Sequence, residues 1–155
     1  MNPKWPAYIN SVRLRERSIP FLYLAVLILT FGWAIPSLGI YQDDWIFVYN
    51  AYARGPAGLR DFLTRDGTPF SSLMNIGLFF VLGVKPIHWH VAALIARWLT
   101  GVSFWLVFRR LWPHHPLQTF GAALIFTVHP FFVLQALSYT YLHFWLGYAS
   151  LGFSF

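Results

Sequence analysis

Asp43 and Asp44 stand side by side directly after a long apolar run. Adjacent carboxylates near a low-dielectric surface repel each other and lose solvation, and both effects raise the pKa of at least one of them. A carboxylate placed this way can take the proton from an acceptor hydroxyl, while its neighbour orients a base partner or a metal. Carboxylate oxygens suit Mg²⁺ or Mn²⁺, so Asp43 and Asp44 are also candidate ligands for such an ion. A plainer role competes with these. Either carboxylate could accept backbone N–H bonds from a helix starting at Trp45, as an N-cap does. The roles are compatible.

Arg97 sits near the middle of the apolar run from Trp89 to Phe108. A central Arg costs about 2.5–3.5 kcal/mol on insertion scales, so it should face a bundle interior or a watery cavity. There it could meet a lipid phosphate or an acid; equally, it could be a structural partner or a snorkelling side chain. Arg54, Arg60 and Arg65 could meet an anionic headgroup, or be plain solvated charges. His129, just before Pro130, could face the same cavity. His88 and His90 point apart on a helix, so interfacial caps fit them better than a metal pair. His114 and His115 read as a turn. No Gly-rich phosphate loop, Ser/His/Asp set or HExxH helix is present. With no Cys there is no thiolate or disulfide chemistry.

The elements that must position these residues are apolar helices. Of 155 residues, 57% are hydrophobic and 10% charged, against about 25% charged in a typical soluble domain. A soluble domain of this length must leave too much surface in water to hide that composition. Eight Trp fit a chain with interfacial aromatic belts. The sequence therefore predicts an all-α, polytopic transmembrane helical bundle with short interfacial helices in its first outer loop. The bases lie at the ends of apolar runs, so the net charge of +6 reads as topology and not as a nucleic-acid surface.

The spans follow from length. Residues 19–40 form a first span, long enough for a core that needs about 20 helical residues. Its apolar core exceeds that of a signal peptide, and no small-x-small cleavage site follows. Residues 1–18, with Lys4, Arg13, Arg15 and Arg17 against Glu16, form a cytoplasmic tail. Residues 41–69 lie outside, with a short helix over 44–53 ended by Gly55-Pro56, a helical turn over 59–63, and a turn at 66–69. The run 70–84 amounts to about 22 Å of helix, short of a core of about 30 Å. Laid at the outer interface, it lets 89–108 run inward and leaves Arg109 and Arg110 in the cytoplasm; spanning, it would place them outside. A cytoplasmic turn at 109–116 leads into a third span, 117–137, kinked near Pro130. A fourth begins at 139–155. The chain stops inside this last run, which reads as a truncated chain or a fragment of a longer one.

Taken in order, these stretches resemble the start of a GT-C glycosyltransferase. The matching segments are Tyr41-Gln42-Asp43-Asp44-Trp45, Gly67-Thr68-Pro69-Phe70-Ser71-Ser72-Leu73 and Phe126-Thr127-Val128-His129-Pro130. Many members have Arg-Pro where this chain has Thr68-Pro69. The resemblance covers most of this chain and the N-terminal third or less of a typical member. It implies a polytopic enzyme of a bacterial inner (plasma) membrane. Such an enzyme transfers a sugar from a polyprenyl-phosphate donor to a hydroxyl acceptor on the outer face. Asp43 would be the essential acid with Asp44 beside it, and Arg97, Arg65 and His129 are the residues available to the donor phosphate or its cavity. Two other readings remain: a non-catalytic partner subunit in which the acidic pair only caps a helix, and a transporter fragment in which Arg97 lines a continuous pathway.

Overall fold

The computed structural model describes residues 16–129 and 136–155. The tail bases Lys4, Arg13 and Arg15, and the kink expected at Pro130, lie outside them. Among the described residues every regular element is helical, with no strand. Six α-helices occur: α1 (Ile19–Thr30), α2 (Asp44–Arg65), α3 (Pro69–Leu82), α4 (Pro86–Leu111), α5 (Pro116–Val128) and α6 (Ser138–Phe153).

The first span is not the single helix expected over 19–40. It ends at Thr30 and continues as a 3-10 segment, Gly32–Ser37, with Pro36 inside it. Pro36 offers no N–H, and its ring would collide with the carbonyl four residues back, so the α-helix cannot run through it. The run 89–108 is extended at both ends into the 26 residues of α4, with Pro86 in its first turn, where a missing N–H is harmless. The 117–137 run is helical only to Val128. His129 precedes a proline and takes an extended ψ of 130°, as crowding by the next ring demands. The short helix expected over 70–84 is α3, closed by Gly83 at φ 65°, a conformation that glycine reaches without penalty.

The segment expected to hold two short helices is α2, whose helix is broken at Gly55 (φ 64°, ψ −164°) into arms 44–54 and 56–65, the second longer than the single turn expected over 59–63. The arms turn back on each other. Phe47 of the first meets Phe62 of the second edge-on at 5.7 Å. Leu59 and Leu63, one turn apart on the second arm, join the main buried cluster with Trp89, Tyr139 and Trp145.

α4 is the central post, packed against α1, α5 and α6. Small residues allow the approach: a Cβ at Gly101 would meet Thr127 Oγ1 at 2.7 Å, and one at Gly152 would meet Ser103 Oγ at 2.4 Å. Polar groups tie the posts together. Thr100 donates to the Trp145 carbonyl at 2.9 Å, Trp98 to that of Pro20 at 2.8 Å, and Tyr23 to that of Phe120 at 2.9 Å. Thr100, Ser103, Thr127 and Arg97 are buried, while Phe21, Leu29, Ile125 and Leu151 are exposed. Buried polar groups thus sit among a mainly apolar core, while large apolar side chains remain on the surface.

α1, α4, α5 and α6 share two ends. At one, Arg109 near the end of α4 pairs with Glu16, just before α1, and Arg110 donates to the carbonyl of Phe155, just after α6. At the other, His90 Nε2 lies 2.9 Å from the Gly39 carbonyl, and Tyr139 Oη donates to that of Val84 at 3.0 Å. α2 and α3 are both inserted at this second end, so together they cap it. Among the described residues one helix, α4, is long and apolar enough to cross a membrane.

Candidate functional site

Asp43 and Asp44 are adjacent in sequence but have separate surroundings. Asp44 is fully buried and Asp43 is exposed. Asp44 does not cap its own helix. Its carboxylate reaches across to α6, accepting the Tyr139 N–H at 3.2 Å, the Thr140 N–H at 2.9 Å and the Thr140 hydroxyl at 2.7 Å. Those amides belong to the second and third residues of α6, the donors an N-cap side chain normally serves. The residue in the cap position of α6 is Leu137, which has no side-chain acceptor. Asp44 supplies the missing oxygen from a distance of 95 residues along the chain.

Burial pushes the Asp44 carboxyl above its ordinary value, while the bonds from Thr140 and Tyr139, and the nearby His90, pull it back in part. With two oxygens holding three hydrogen bonds, Asp44 has little left for a cation. Among the described residues no group of three His, Cys, Asp or Glu side chains is placed to hold a metal. The Mg²⁺ or Mn²⁺ expected at the acidic pair does not fit this arrangement: Asp43 faces it alone.

Asp43 has a different neighbourhood. Between the arms of α2 lies a cleft of about 520 Å³, lined by Ile46, Asn50 and Arg54 on one side and Asp61, Phe62 and Arg65 on the other. Asp43 is the exposed residue just ahead of the first arm, one turn before the cleft residue Ile46, and Arg65 lines the cleft from the second arm. Arg54 is exposed and lines the cleft beside the Gly55 break, its guanidinium 5.9 Å from the Tyr49 ring centre. Arg60 points elsewhere, with Asp61 at 4.0 Å. Asn50 is buried and donates to the Ile46 carbonyl at 2.8 Å, bracing the first arm.

Arg97 does not belong to this opening. It is 11 residues into α4, about 16 Å below the capped end, and wholly buried. Its guanidinium lies between two rings, 4.3 Å from the centre of Phe31 and 4.5 Å from that of Trp145. Cation–π contacts of this kind are worth about 2 kcal/mol or more once desolvated. Arg97 therefore packs the bundle core and is not among the residues that line the α2 cleft. His129 is exposed at the capped end, beside the start of the undescribed residues 130–135. His90 links α4 to the Gly39 loop and is not paired with the exposed His88, whose Nδ1 lies 2.8 Å from the Leu82 carbonyl.

Sequence reasoning missed the Thr140 and Tyr139 partners of Asp44 because nothing local marks a bond across 95 residues. It also missed the cleft. Gly55-Pro56 was the available signal, since it marks a sharp fold as readily as a helix end. No protein-family model, curated protein or solved structure matches the chain.

Proposed function

We propose that the chain is the N-terminal portion of a multi-pass GT-C type glycosyltransferase. It transfers a sugar from a polyprenyl-phosphate donor to a hydroxyl acceptor on the outer face of the membrane. The observation that carries this reading is the cleft between the α2 arms, lined by Arg54 and Arg65, with the exposed Asp43 one turn before its residue Ile46.

The reaction needs two things there. Asp43 accepts the proton of the acceptor hydroxyl as its oxygen attacks the anomeric carbon from the face opposite the phosphate. The bond from that carbon to the phosphate oxygen breaks, and the polyprenyl phosphate leaves with the electron pair. Arg65 and Arg54 offset the charge that builds on it. Phosphate is a good leaving group, so the site needs no strong general acid.

The orientation follows from charge. α1 with its 3-10 extension, α4, α5 and α6 cross together. Arg17, Arg109 and Arg110 gather at one end, which is the cytoplasmic one by the positive-inside rule. Asp43, Asp44, Asp61 and Asp66 all lie on the opposite, capped side. α3 suits the outer interface: Ser72 and Asn75 are buried, while Phe70, Leu73, Phe80 and Val81 are exposed at helical spacing.

The test is sugar transfer by membranes holding the protein, supplied with a labelled polyprenyl-phosphate sugar. Asp43→Asn should reduce turnover by about 10²–10⁴, the usual worth of a general base. Transfer at the unaltered rate would sink the assignment.

A further inference from the structure

The end of the bundle away from Asp43 holds a second cleft, of about 380 Å³, between the last turn of α4 and the first turns of α5. Phe108, Trp112 and Ala122 make an apolar wall, and His115, Gln118 and Thr119 line the rest. Trp112 and Ala122 are exposed, so the cleft opens outward from the bundle. The Thr119 hydroxyl is turned inward onto the Pro116 carbonyl at 2.9 Å, which leaves the wall apolar.

The charge around this cleft is one-sided. The chain has five acids, and Glu16 is the one at this end. Arg17, Arg109 and Arg110 stand against it, with His114 and His115 close by in sequence. Arg109 lies one residue after Phe108, on the side of α4 shared with Trp112 and Trp105. Its guanidinium is 5.8 Å from the Trp105 ring centre. A guanidinium has five N–H donors, so the pair with Glu16 leaves capacity for a second anion.

We propose that this cleft seats an acyl chain of an anionic phospholipid of the cytoplasmic leaflet, with the lipid phosphate held by Arg109. Among the described residues the slot is lined by no arginine or lysine and takes the chain, while Arg109, one residue beyond its Phe108 wall and paired with Glu16, is the cation for the headgroup. The inference rests on the membrane reading above. It is independent of the transfer chemistry, because α2 and Asp43 are at the other end.

The experiment compares phosphatidylglycerol with phosphatidylcholine. The full chain, reconstituted with equal amounts of the two, is released into the gas phase and the lipids retained per protein are counted by mass. Phosphatidylglycerol should be retained over phosphatidylcholine by roughly fivefold for each engaged arginine. Arg109→Gln should abolish that preference. Ala122→Trp, which fills the slot from an exposed position, should lower retention of both lipids, with unchanged helical content showing that the bundle is intact. Equal retention of the two lipids by the unaltered chain overturns the proposal, and so does a preference that survives both substitutions. Displacement of the lipid by inorganic phosphate alone overturns it too, because the slot would then contribute nothing. Asp43→Asn should leave the lipid count unchanged, so failure here and failure of the transfer assignment are distinguishable. Extraction of the chain without detergent would overturn the membrane reading itself.

Discussion

Replacing Asp44 by Ala removes the acceptor for three hydrogen bonds at the start of α6, at 3.2, 2.9 and 2.7 Å. Loss of an N-cap acceptor costs about 0.5–2 kcal/mol. Tyr139 is sealed from water, and stranding a buried donor costs about 1–3 kcal/mol. Together these put the loss near 3 kcal/mol of unfolding free energy, read by reversible denaturation in mixed micelles. Asp44→Asn keeps one carbonyl oxygen and so should recover about half of that loss. Asp43→Ala, at an exposed position, should stay within about 0.5 kcal/mol of the parent. Hydrogen exchange supplies a local readout: the Thr140 amide should lose protection in Asp44→Ala while amides in mid-α4 do not. If Asp44→Ala unfolds with the parent, or Asp43→Ala proves the costlier change, the division between a structural and an exposed carboxylate is refuted.

Asp44 also gives a pH dependence. Burial raises its folded-state pKa above 3.8, so the folded chain binds the proton more tightly than the unfolded one. Stability from this group is therefore greatest on the acid side and falls as pH climbs from 3.8 through the raised value; Asp44→Asn should flatten that segment of the stability profile. Gly55→Ala forces a side chain to φ 64° at a cost of about 1–2 kcal/mol. It should also spread the arms of α2, lengthening the distance between spin labels at positions 46 and 65; an unchanged distance would show that the fold does not depend on glycine. Arg97→Ala empties the space between Phe31 and Trp145 and should cost about 2–5 kcal/mol in micelle unfolding, with Arg97→Met keeping part of the packing.

Much of the all-helical architecture was legible because its signals are local. Apolar length gave the posts, and Pro69, Pro86 and Pro116 each start a helix. Pro36 stood in plain view, yet run length alone hid the shortening of α1 that it imposes. The cleft that Arg54 and Arg65 line rests on how the α2 arms close, where Phe47 meets Phe62, and spacing does not encode that. Arg97 was expected to face a bundle interior or a watery cavity, since its charge in an apolar run demands shelter, and it lies buried in the bundle. Its partners, two aromatic rings from α6 and the end of α1, are long-range and left no pattern in the surrounding residues.

The bond from Asp44 to Thr140 spans 96 residues. During synthesis, α2 emerges well before the residues that will hold its first turn in place. Until α6 is made, Asp44 has no helix to cap, and Asp43 is attached to an arm without its anchor. The acidic pair is thus also a record of assembly order: the first arm of α2 gains its anchor only after the sixth helix has joined the bundle. Chains stalled on the ribosome before residue 138 should show fast exchange at Trp45 and Ile46, and chains released after Phe153 should not.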